Sequence, residues 1–289
     1  MNKLIKALAC ESRVRVYIAN TTDVTNEAIR LHDLWPSSAS VLGKTMTIAL
    51  IMGAMLKGDE ALTIKIDGNG PIGNVIVDSD SKGNVKGYVD HPHVHFSNKQ
   101  GLDDITTLGY NGYIDVIKDL KLKDLYSSTI PLETGDLAKD FTYYFTSSEQ
   151  TPSLVALSSI MNEDNTCMVS GGIIIQLMPG AKETDIVFLE SKYPILNNFS
   201  KLLLEHTNLE NILKLLFIED YKLLDIQEIR FHCDCSKEKF YYGISTLGRN
   251  EIEDIIKVDK QAEVICHYCN TQYIFSEEEL KNLLKGMKK

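Results

Sequence analysis

The sequence predicts an α+β protein with an N-terminal α/β core domain, a helical linker and a small C-terminal four-cysteine zinc domain. Short segments that alternate apolar and polar residues come in hairpin-like pairs, and a long apolar helix interrupts them. Two close pairs of cysteines lie near the C-terminus. We place the core at residues 1–180, the linker at 181–230 and the cysteine-containing domain at 231–289.

The longest helix of the core is predicted from Ser37 to Leu56, where most residues are apolar and Gly58 follows as a stop. Residues 62–66 then alternate apolar and polar side chains, as expected for a half-buried strand. Strands at 74–77 and 85–89 follow, separated by a segment rich in turn-forming residues. This order of strand, turn and strand predicts an antiparallel hairpin.

The end of the core contains one more predicted helix and one more predicted strand. Thr151 and Pro152 are suited to the N-cap and first position of a helix. Residues 170–177 are strongly apolar and predict the last strand of the core. Because strands come in hairpins and helices lie between them, the pattern favours α+β.

The linker has helical periodicity but few apolar residues outside one face. That face is formed by Ile195, Leu196, Phe199, Leu202 and Leu203. Residues 207–210 resemble a capping box for a short helix that ends near Phe217. Short isolated helices are marginal in water, so these must pack on another part of the protein. The segment is either a mobile linker or an ordinary helical subdomain.

Four cysteines carry the strongest chemical signal of the sequence. They occur as Cys233-Asp234-Cys235 and Cys266-His267-Tyr268-Cys269. Four soft thiolates suit one tetrahedral Zn²⁺ ion per chain. Such tight pairs can also close as local disulfides, so the same sulfur atoms could act as metal ligands or as a redox switch.

The size of the C-terminal domain favours a metal site. A domain of this length is near the lower limit for folding without a bound metal ion or a disulfide. A structural zinc ion contributes about 10–16 kcal/mol to the folding of small domains. The domain ends in a predicted helix that begins after Ser276, with acidic residues in its first turn.

We expect a cytoplasmic protein with reduced thiols. The N-terminus lacks the apolar stretch of a signal peptide, and the run from Met46 to Leu56 is too short to span a bilayer. Cysteines in that compartment usually bind metals or carry out redox chemistry. We interpret the isolated Cys10 and Cys167 as small core residues.

Charge argues against nucleic acid as a partner. The formal net charge is −10, and residues 231–289 contain nine basic and ten acidic residues. No basic stripe with interleaved aromatic residues is present. The sequence also lacks the motifs of a nucleophile with its base, so we do not expect an enzyme.

Two further patterns resemble binding motifs. Residues 68–73 spell G-x-G-x-x-G, but Pro71 and strand residues follow where a nucleotide-binding site needs a helix, so we expect a connection between strands. His91, His93 and His95 alternate and could share one face as metal ligands. The polar residues after them favour an exposed edge or loop.

Several segments together resemble the 33 kDa heat shock protein family over essentially the whole length. They are Met52–Asp59, Gly68–Gly73, Gly87–Asp90, Ser148–Ser153, Gly171–Gly180, Phe231–Ser236 and Cys266–Asn270. The last two are the most specific, and the cysteine motif shows no departure from the family pattern.

The resemblance implies a redox-regulated, ATP-independent holdase chaperone of the bacterial cytoplasm. Zinc on Cys233, Cys235, Cys266 and Cys269 would mark the reduced, inactive form. Oxidation would form the disulfides Cys233–Cys235 and Cys266–Cys269, release zinc and loosen the linker. The active form would be a homodimer that binds unfolding client proteins, without nucleic acid or membrane partners.

Two other classes of protein remain possible from the residues alone. A nucleic-acid-binding module stabilised by a metal ion would fit the spacing of the cysteines, which is similar to that of zinc ribbons. It would not fit the charge of residues 231–289, where acidic residues slightly outnumber basic ones. A thiol–disulfide enzyme would need one exposed C-x-x-C pair at a helix N-terminus after a strand, without a second pair.

Overall fold

The computed structural model describes residues 2–99 and 101–286. The chain forms two compact units, Met1–His232 and Cys233–Lys289, which are called unit 1 and unit 2 below.

Unit 1 contains seven helices and thirteen strands among the described residues. Its helices are α1 (Thr22–His32), α2 (Pro36–Gly53), α3 (Asp104–Leu108), α4 (Leu137–Ser147), α5 (Glu183–Leu196), α6 (Phe199–Glu205) and α7 (Leu209–Phe217). Its strands are β1 (Lys3–Ala9), β2 (Val14–Asn20), β3 (Ala61–Asn69), β4 (Asn74–Asp80), β5 (Asn84–Val89), β6 (Ser97–Asn98), β7 (Gly101–Leu102), β8 (Gly109–Asp119), β9 (Tyr126–Leu132), β10 (Ser153–Met161), β11 (Cys167–Leu177), β12 (Tyr221–Glu228) and β13 (Arg230–Phe231).

Two sheets form the framework of unit 1. The first sheet is antiparallel with the order β10-β11-β2-β1-β12, so β10 and β12 are its edges. The second sheet has the order β13-β5-β4-β3-β8-β9 and is antiparallel apart from the β13–β5 pair. β6 and β7 form a separate short ribbon.

Helix α2 is buried between the two sheets. Its apolar residues belong to one core that also contains Leu4 and Ile174 of the first sheet and Ile64 and Val77 of the second. A helix that is apolar on every side is stable only when protein surrounds it. Thr47 satisfies its buried hydroxyl by donating to the Gly43 carbonyl at 2.8 Å.

Helices α5–α7 cover the opposite face of the first sheet. A second core joins Ile5, Val16 and Ile173 of the sheet to Leu196 and Leu213 of these helices. The apolar face that the linker periodicity predicts therefore packs on the sheet of unit 1. Together with α2, these helices give the first sheet an apolar core on each face.

Several predicted elements are confirmed, and one is wrong. The helix predicted at 37–56 is α2, and the strands predicted at 62–66, 74–77 and 85–89 are β3, β4 and β5. The helix predicted to begin at Thr151 does not form, because the chain enters β10 at Ser153. β10 lies between the two cores of the first sheet, so both its faces carry apolar residues and the alternation typical of a strand disappears.

The linker contains one strand that the sequence analysis did not predict. β12 pairs with β1 along the edge of the first sheet. The short helix expected to end near Phe217 is α7, and the side chain of its N-cap Asn208 accepts a hydrogen bond from the Glu210 amide at 3.1 Å.

Unit 2 is a small α+β arrangement with its own core. It comprises α8 (Lys237–Ser245), α9 (Arg249–Val258), β14 (Gln261–Ile265), β15 (Gln272–Ser276) and α10 (Glu277–Gly286). Its fully enclosed apolar residues are Ile244, Ile252, Phe275, Leu280 and Leu283. Ser276 and Glu279 cap α10 reciprocally, as the sequence predicts, and the lysines at the extreme C-terminus lie outside the described residues.

Within residues 2–99 and 101–286, no helix has the length and apolar character needed to cross a membrane.

Candidate metal centre

Two short segments of unit 2 position the four cysteines. Cys233 and Cys235 come before α8, whose N-cap Ser236 accepts a hydrogen bond from the Lys239 amide at 3.3 Å. Cys266 and Cys269 lie in the turn between β14 and β15.

The turn between β14 and β15 is shaped by its own backbone hydrogen bonds. The Cys266 carbonyl accepts from the amides of Cys269 and Asn270 at 3.3 and 2.8 Å, and the Cys266 amide donates to the Thr271 carbonyl at 3.0 Å. Asn270 has a φ of 54°, a left-handed conformation that asparagine tolerates better than most residues. The local sequence thus folds into a tight loop that brings the thiol groups of this pair together.

The four sulfur atoms converge on one point. All four Sγ atoms lie within 4.8 Å of one another, with 3.7 Å between Cys233 and Cys266 and 3.4 Å between Cys235 and Cys269. A tetrahedral zinc ion with bonds of about 2.3 Å would hold its sulfur ligands about 3.8 Å apart. The residues present therefore fit a four-coordinate zinc ion. All four cysteines are free thiols.

Without a metal ion, the surroundings of the cluster shift the pKa values of its thiols in opposite directions. Burial raises the pKa of the Cys233 and Cys266 thiols and so opposes the thiolates that a metal needs. At Cys269 burial acts in the same direction, but hydrogen bonds with Thr271 outweigh it and lower the pKa to about 7. A bound divalent cation would reverse the effect of burial, because a coordinated thiol is deprotonated outright.

Two polar side chains next to the sulfur atoms were not identified from the sequence. The hydroxyl of Tyr273 lies 3.2 Å from Sγ of Cys235, and the hydroxyl of Thr271 lies 3.2 Å from Sγ of Cys269. The hydrogen bond with Cys235, followed by burial, raises the pKa of Tyr273 to about 12. Thr271 and Tyr273 follow Cys269 by two and four residues, and this spacing was the available signal, since alternate residues of an extended segment share a face.

The other candidate residues do not form a second centre. Within the described residues, these four cysteines are the one group of three or more histidine, cysteine or acidic side chains that could hold a metal ion. His91, His93 and His95 are exposed, and Nε2 of His93 lies 3.0 Å from the Asp33 carboxylate. The prediction of an exposed segment there is confirmed.

The glycine-rich segment and the isolated cysteines also have structural roles. Residues 70–73 join β3 to β4 without a helix, so the predicted connection between strands is confirmed. Cys10 and Cys167 are buried, as predicted. Burial raises their pKa to about 11 and about 12, which keeps these thiols protonated and unreactive.

The fold and the site define a protein with an α+β unit that buries one helix between two sheets, and a separate small unit whose four cysteines could hold a metal ion. The family model described as "Hsp33 protein" matches residues 2–276. The chain belongs to this family, and the resemblance seen in the sequence is confirmed.

Individual relatives match over nearly the whole chain. The 33 kDa chaperonin of Bacillus subtilis (strain 168) is 46% identical over 285 residues, which are 98% of each chain. That of Staphylococcus aureus (strain Newman) is 45% identical over 287 residues and 98% of each chain. The crystal structure of the 33 kDa chaperonin from Thermotoga maritima superimposes with a TM-score of 0.91 at 33% identity and covers 98% of both chains.

The reduced protein is expected to bind one zinc ion per chain, because the cluster supplies four sulfur ligands at the right separation. Elemental analysis combined with thiol titration of the native protein tests this. Cys10 and Cys167 should stay unreactive in the native state whether or not zinc is bound. A zinc content well below one per chain, with four freely reactive thiols, would contradict the prediction.

Proposed function

We propose that the protein is a redox-regulated, ATP-independent holdase chaperone and not an enzyme. The observation that carries the proposal is the convergence of four free thiols within 4.8 Å in a small separate unit. Membership of the Hsp33 family supports the chaperone role, since the curated relatives are named 33 kDa chaperonins. In the reduced, inactive form, Cys233, Cys235, Cys266 and Cys269 would hold zinc.

The proposed switch is thiol oxidation. Zinc, when bound, holds the two cysteine segments together and keeps the sulfur atoms as thiolates. Forming two disulfides removes four electrons from the four thiolates. Two molecules of hydrogen peroxide accept these electrons, together with four protons from solvent, and are reduced to four molecules of water. We propose the pairs Cys233–Cys235 and Cys266–Cys269, which the resemblance to the family implies; cysteines close in sequence also remain close when the unit unfolds.

Unit 2 is expected to depend on its metal. Its enclosed core consists of five apolar residues, and the hydroxyl of Tyr273 adds a hydrogen bond at the cluster. A disulfide sulfur no longer carries the negative charge that binds zinc. Losing the metal removes a contribution of about 10–16 kcal/mol, which exceeds the stability of most small domains.

The apolar surface for clients would come from the linker and the sheet beneath it. Helices α5–α7 and the first sheet bury their apolar faces against each other, with Phe199 and Leu213 among the residues enclosed. Release of this segment would expose both faces to partly unfolded proteins. Because the sheet of unit 1 supports the helices, metal loss alone does not remove that support. We therefore propose that opening also needs mild unfolding stress.

The proposed active form is a homodimer in the cytoplasm that binds partly unfolded client proteins. The net charge of −10 supports a partner other than nucleic acid or an anionic membrane surface.

Peroxide with mild heat is expected to convert the protein into an active chaperone. Light scattering of a thermolabile client should show suppressed aggregation with the oxidised protein and unchanged aggregation with the reduced protein. Limited proteolysis should give new cuts after about residue 180 in the oxidised form, while the two-sheet core remains protected by its own apolar contacts. Equal protease protection and equal activity in both states would refute the switch.

A further inference from the structure

One phenol hydroxyl of unit 2 is directed at the cysteine cluster. Tyr273 lies on β15, and its hydroxyl oxygen is 3.2 Å from Sγ of Cys235. The two residues are 38 positions apart, so the contact joins the segment before α8 to the strand that follows the second cysteine pair. Tyr273 therefore connects the two cysteine-bearing segments through a contact that does not require a metal.

The ring of Tyr273 is held in place by its neighbours. Its centroid lies 5.1 Å from that of Phe240 on α8, with an angle of 40° between the two rings. In the hairpin of unit 2, Tyr273 pairs with Val264 of β14. All three residues are partly buried and pack against the core of the unit. The hydroxyl is thus already positioned at Cys235, and little conformational entropy is lost when it donates a hydrogen bond.

Ionisation of Cys235 fixes the direction of this hydrogen bond. As a neutral thiol, Cys235 could donate to the hydroxyl or accept from it. A thiolate, which is the form that binds a metal, has no proton and can only accept, so Tyr273 must then donate. Hydrogen bonds to an ionised acceptor are about twice as strong as those between neutral groups. The phenol therefore stabilises the negative charge on this particular sulfur atom.

The first cysteine of each pair receives its hydrogen bond from a different kind of donor. The backbone amide of Cys235 donates to the sulfur of Cys233, and that of Tyr268 donates to the sulfur of Cys266. These donors belong to the local backbone and stay in place when a side chain is changed. The donor at Cys235 is a side chain from another strand, so one substitution removes it and leaves all four sulfur atoms present.

We propose that Tyr273 is a positioning residue that restrains the reactivity of the Cys235 thiolate in the reduced cluster. Partners that donate hydrogen bonds to metal ligands orient those ligands and tune their chemistry. A hydrogen bond from the phenol withdraws electron density from the sulfur, and it must weaken when that sulfur attacks an electrophile. The inference concerns regulation of the proposed redox switch and rests on that proposed function.

The step that Tyr273 restrains is the attack of a thiolate on peroxide. Sγ of Cys235 bonds to one oxygen of hydrogen peroxide, the O–O bond breaks, and hydroxide leaves and takes a proton from solvent. The sulfur loses two electrons and becomes a sulfenic acid. The thiolate of Cys233 then attacks this sulfur, forms the S–S bond and releases a second hydroxide. Because Cys235 is partly exposed, its own reactivity contributes to how readily an oxidant acts on this pair.

The main test measures the thiols without an oxidant. The full-length, reduced, zinc-loaded protein is treated with iodoacetamide, from which each sulfur displaces iodide, and mass spectrometry gives the initial alkylation rate at every cysteine. In Tyr273→Phe, Cys235 should be alkylated about tenfold faster, because no charge-assisted hydrogen bond has to weaken during the attack. The other three cysteines of the cluster should change little. Tyr242→Phe is the matched control, since Tyr242 is an exposed tyrosine on α8 of the same unit, and it should leave all rates unchanged.

Peroxide provides a second readout on the same variants. A chromogenic chelator should report zinc release several-fold faster from Tyr273→Phe than from the parent or from Tyr242→Phe. Replacing Tyr273 by meta-fluorotyrosine keeps the ring and strengthens the hydroxyl as a donor, so alkylation of Cys235 should become slower than in the parent. This variant decides if Tyr273→Phe fails to retain zinc, and absence of any slowing would then overturn the inference.

The pattern across the four cysteines separates a restraint on Cys235 from a purely structural role. An unchanged rate at Cys235 in a zinc-loaded Tyr273→Phe protein would contradict the inference. A uniform increase at all four cysteines would also contradict it, because the tyrosine would then only hold the unit together. A parent that retains zinc but gains no chaperone activity on oxidation would refute the proposed switch without altering the alkylation result. A parent that binds no zinc would overturn both.

Discussion

Replacing Cys266 by serine is expected to give a chain that acts as a chaperone in the presence of reductant once mild heat is applied. Cys266 is the most buried of the four clustered cysteines, and serine cannot supply the thiolate that a metal would need. The site would keep three sulfur ligands, and most of the metal contribution of about 10–16 kcal/mol would be lost. The five-residue core of unit 2 cannot compensate, so the unit should unfold without any oxidant.

Aggregation suppression in excess reductant is the decisive measurement, together with zinc content. Cys167→Ser is the matched control, because Cys167 is equally buried but lies in β11, away from the cluster. It should retain zinc and remain inactive. A Cys266→Ser protein that loses zinc yet, under the same mild heat, stays as inactive as the reduced parent would show that metal loss with mild stress does not activate the chain, and that disulfide formation is required.

Replacing Asp185 by asparagine is expected to loosen the linker from the sheet while zinc stays bound. Arg13, after the turn between β1 and β2, donates from Nε and Nη2 to the two carboxylate oxygens of Asp185 at 2.7 and 3.0 Å. Asp185 also accepts from the Lys182 amide at 2.8 Å, so one buried side chain caps α5 and ties it to the hairpin. A neutral amide cannot satisfy both partners.

Hydrogen exchange should locate this effect at the start of α5. Amides of the first two turns of α5 are expected to exchange about tenfold faster or more, because a hydrogen-bonded ion pair is lost. Glu11→Gln is the control: Glu11 pairs with the same arginine but is exposed, so its loss should change little. Unchanged exchange in Asp185→Asn would show that apolar packing alone holds the helix.

The Arg13–Asp185 contact should not act as a pH switch near neutrality. The hydrogen bond from Arg13, followed by that from Lys182, lowers the pKa of Asp185 from 3.8 to about 2. A depressed pKa in the folded state means that the stabilisation is fully present above 3.8 and is lost as the pH falls towards 2. Intrinsic-rate-corrected exchange at α5 should therefore be constant between about pH 5 and 8.

The absence of alternating apolar and polar residues in β10 explains why a helix was wrongly predicted to begin at Thr151. Sequence patterns identify a strand by the alternation of one buried and one solvated face. β10 carries apolar residues on both faces, each packed against a core, so these residues show no such period, and the Thr-Pro pair before it suggested a helix. β12 was missed because it lies at an edge with Leu224 and Ile226 exposed, in a segment whose other elements are helical.

The sequence by itself determined which four cysteines form the cluster, the hairpin of β4 and β5, and the buried helix α2. These features depend on the chemistry of single residues and on the periodicity of apolar residues over a few neighbours. Both can be read from the local sequence without knowing the tertiary structure. Only the tertiary structure decided which face of the first sheet supports the linker, that Arg13 meets Asp185, and that β10 forms an edge of that sheet. Each of these joins residues far apart in sequence, and their proximity exists only once the sheets have formed.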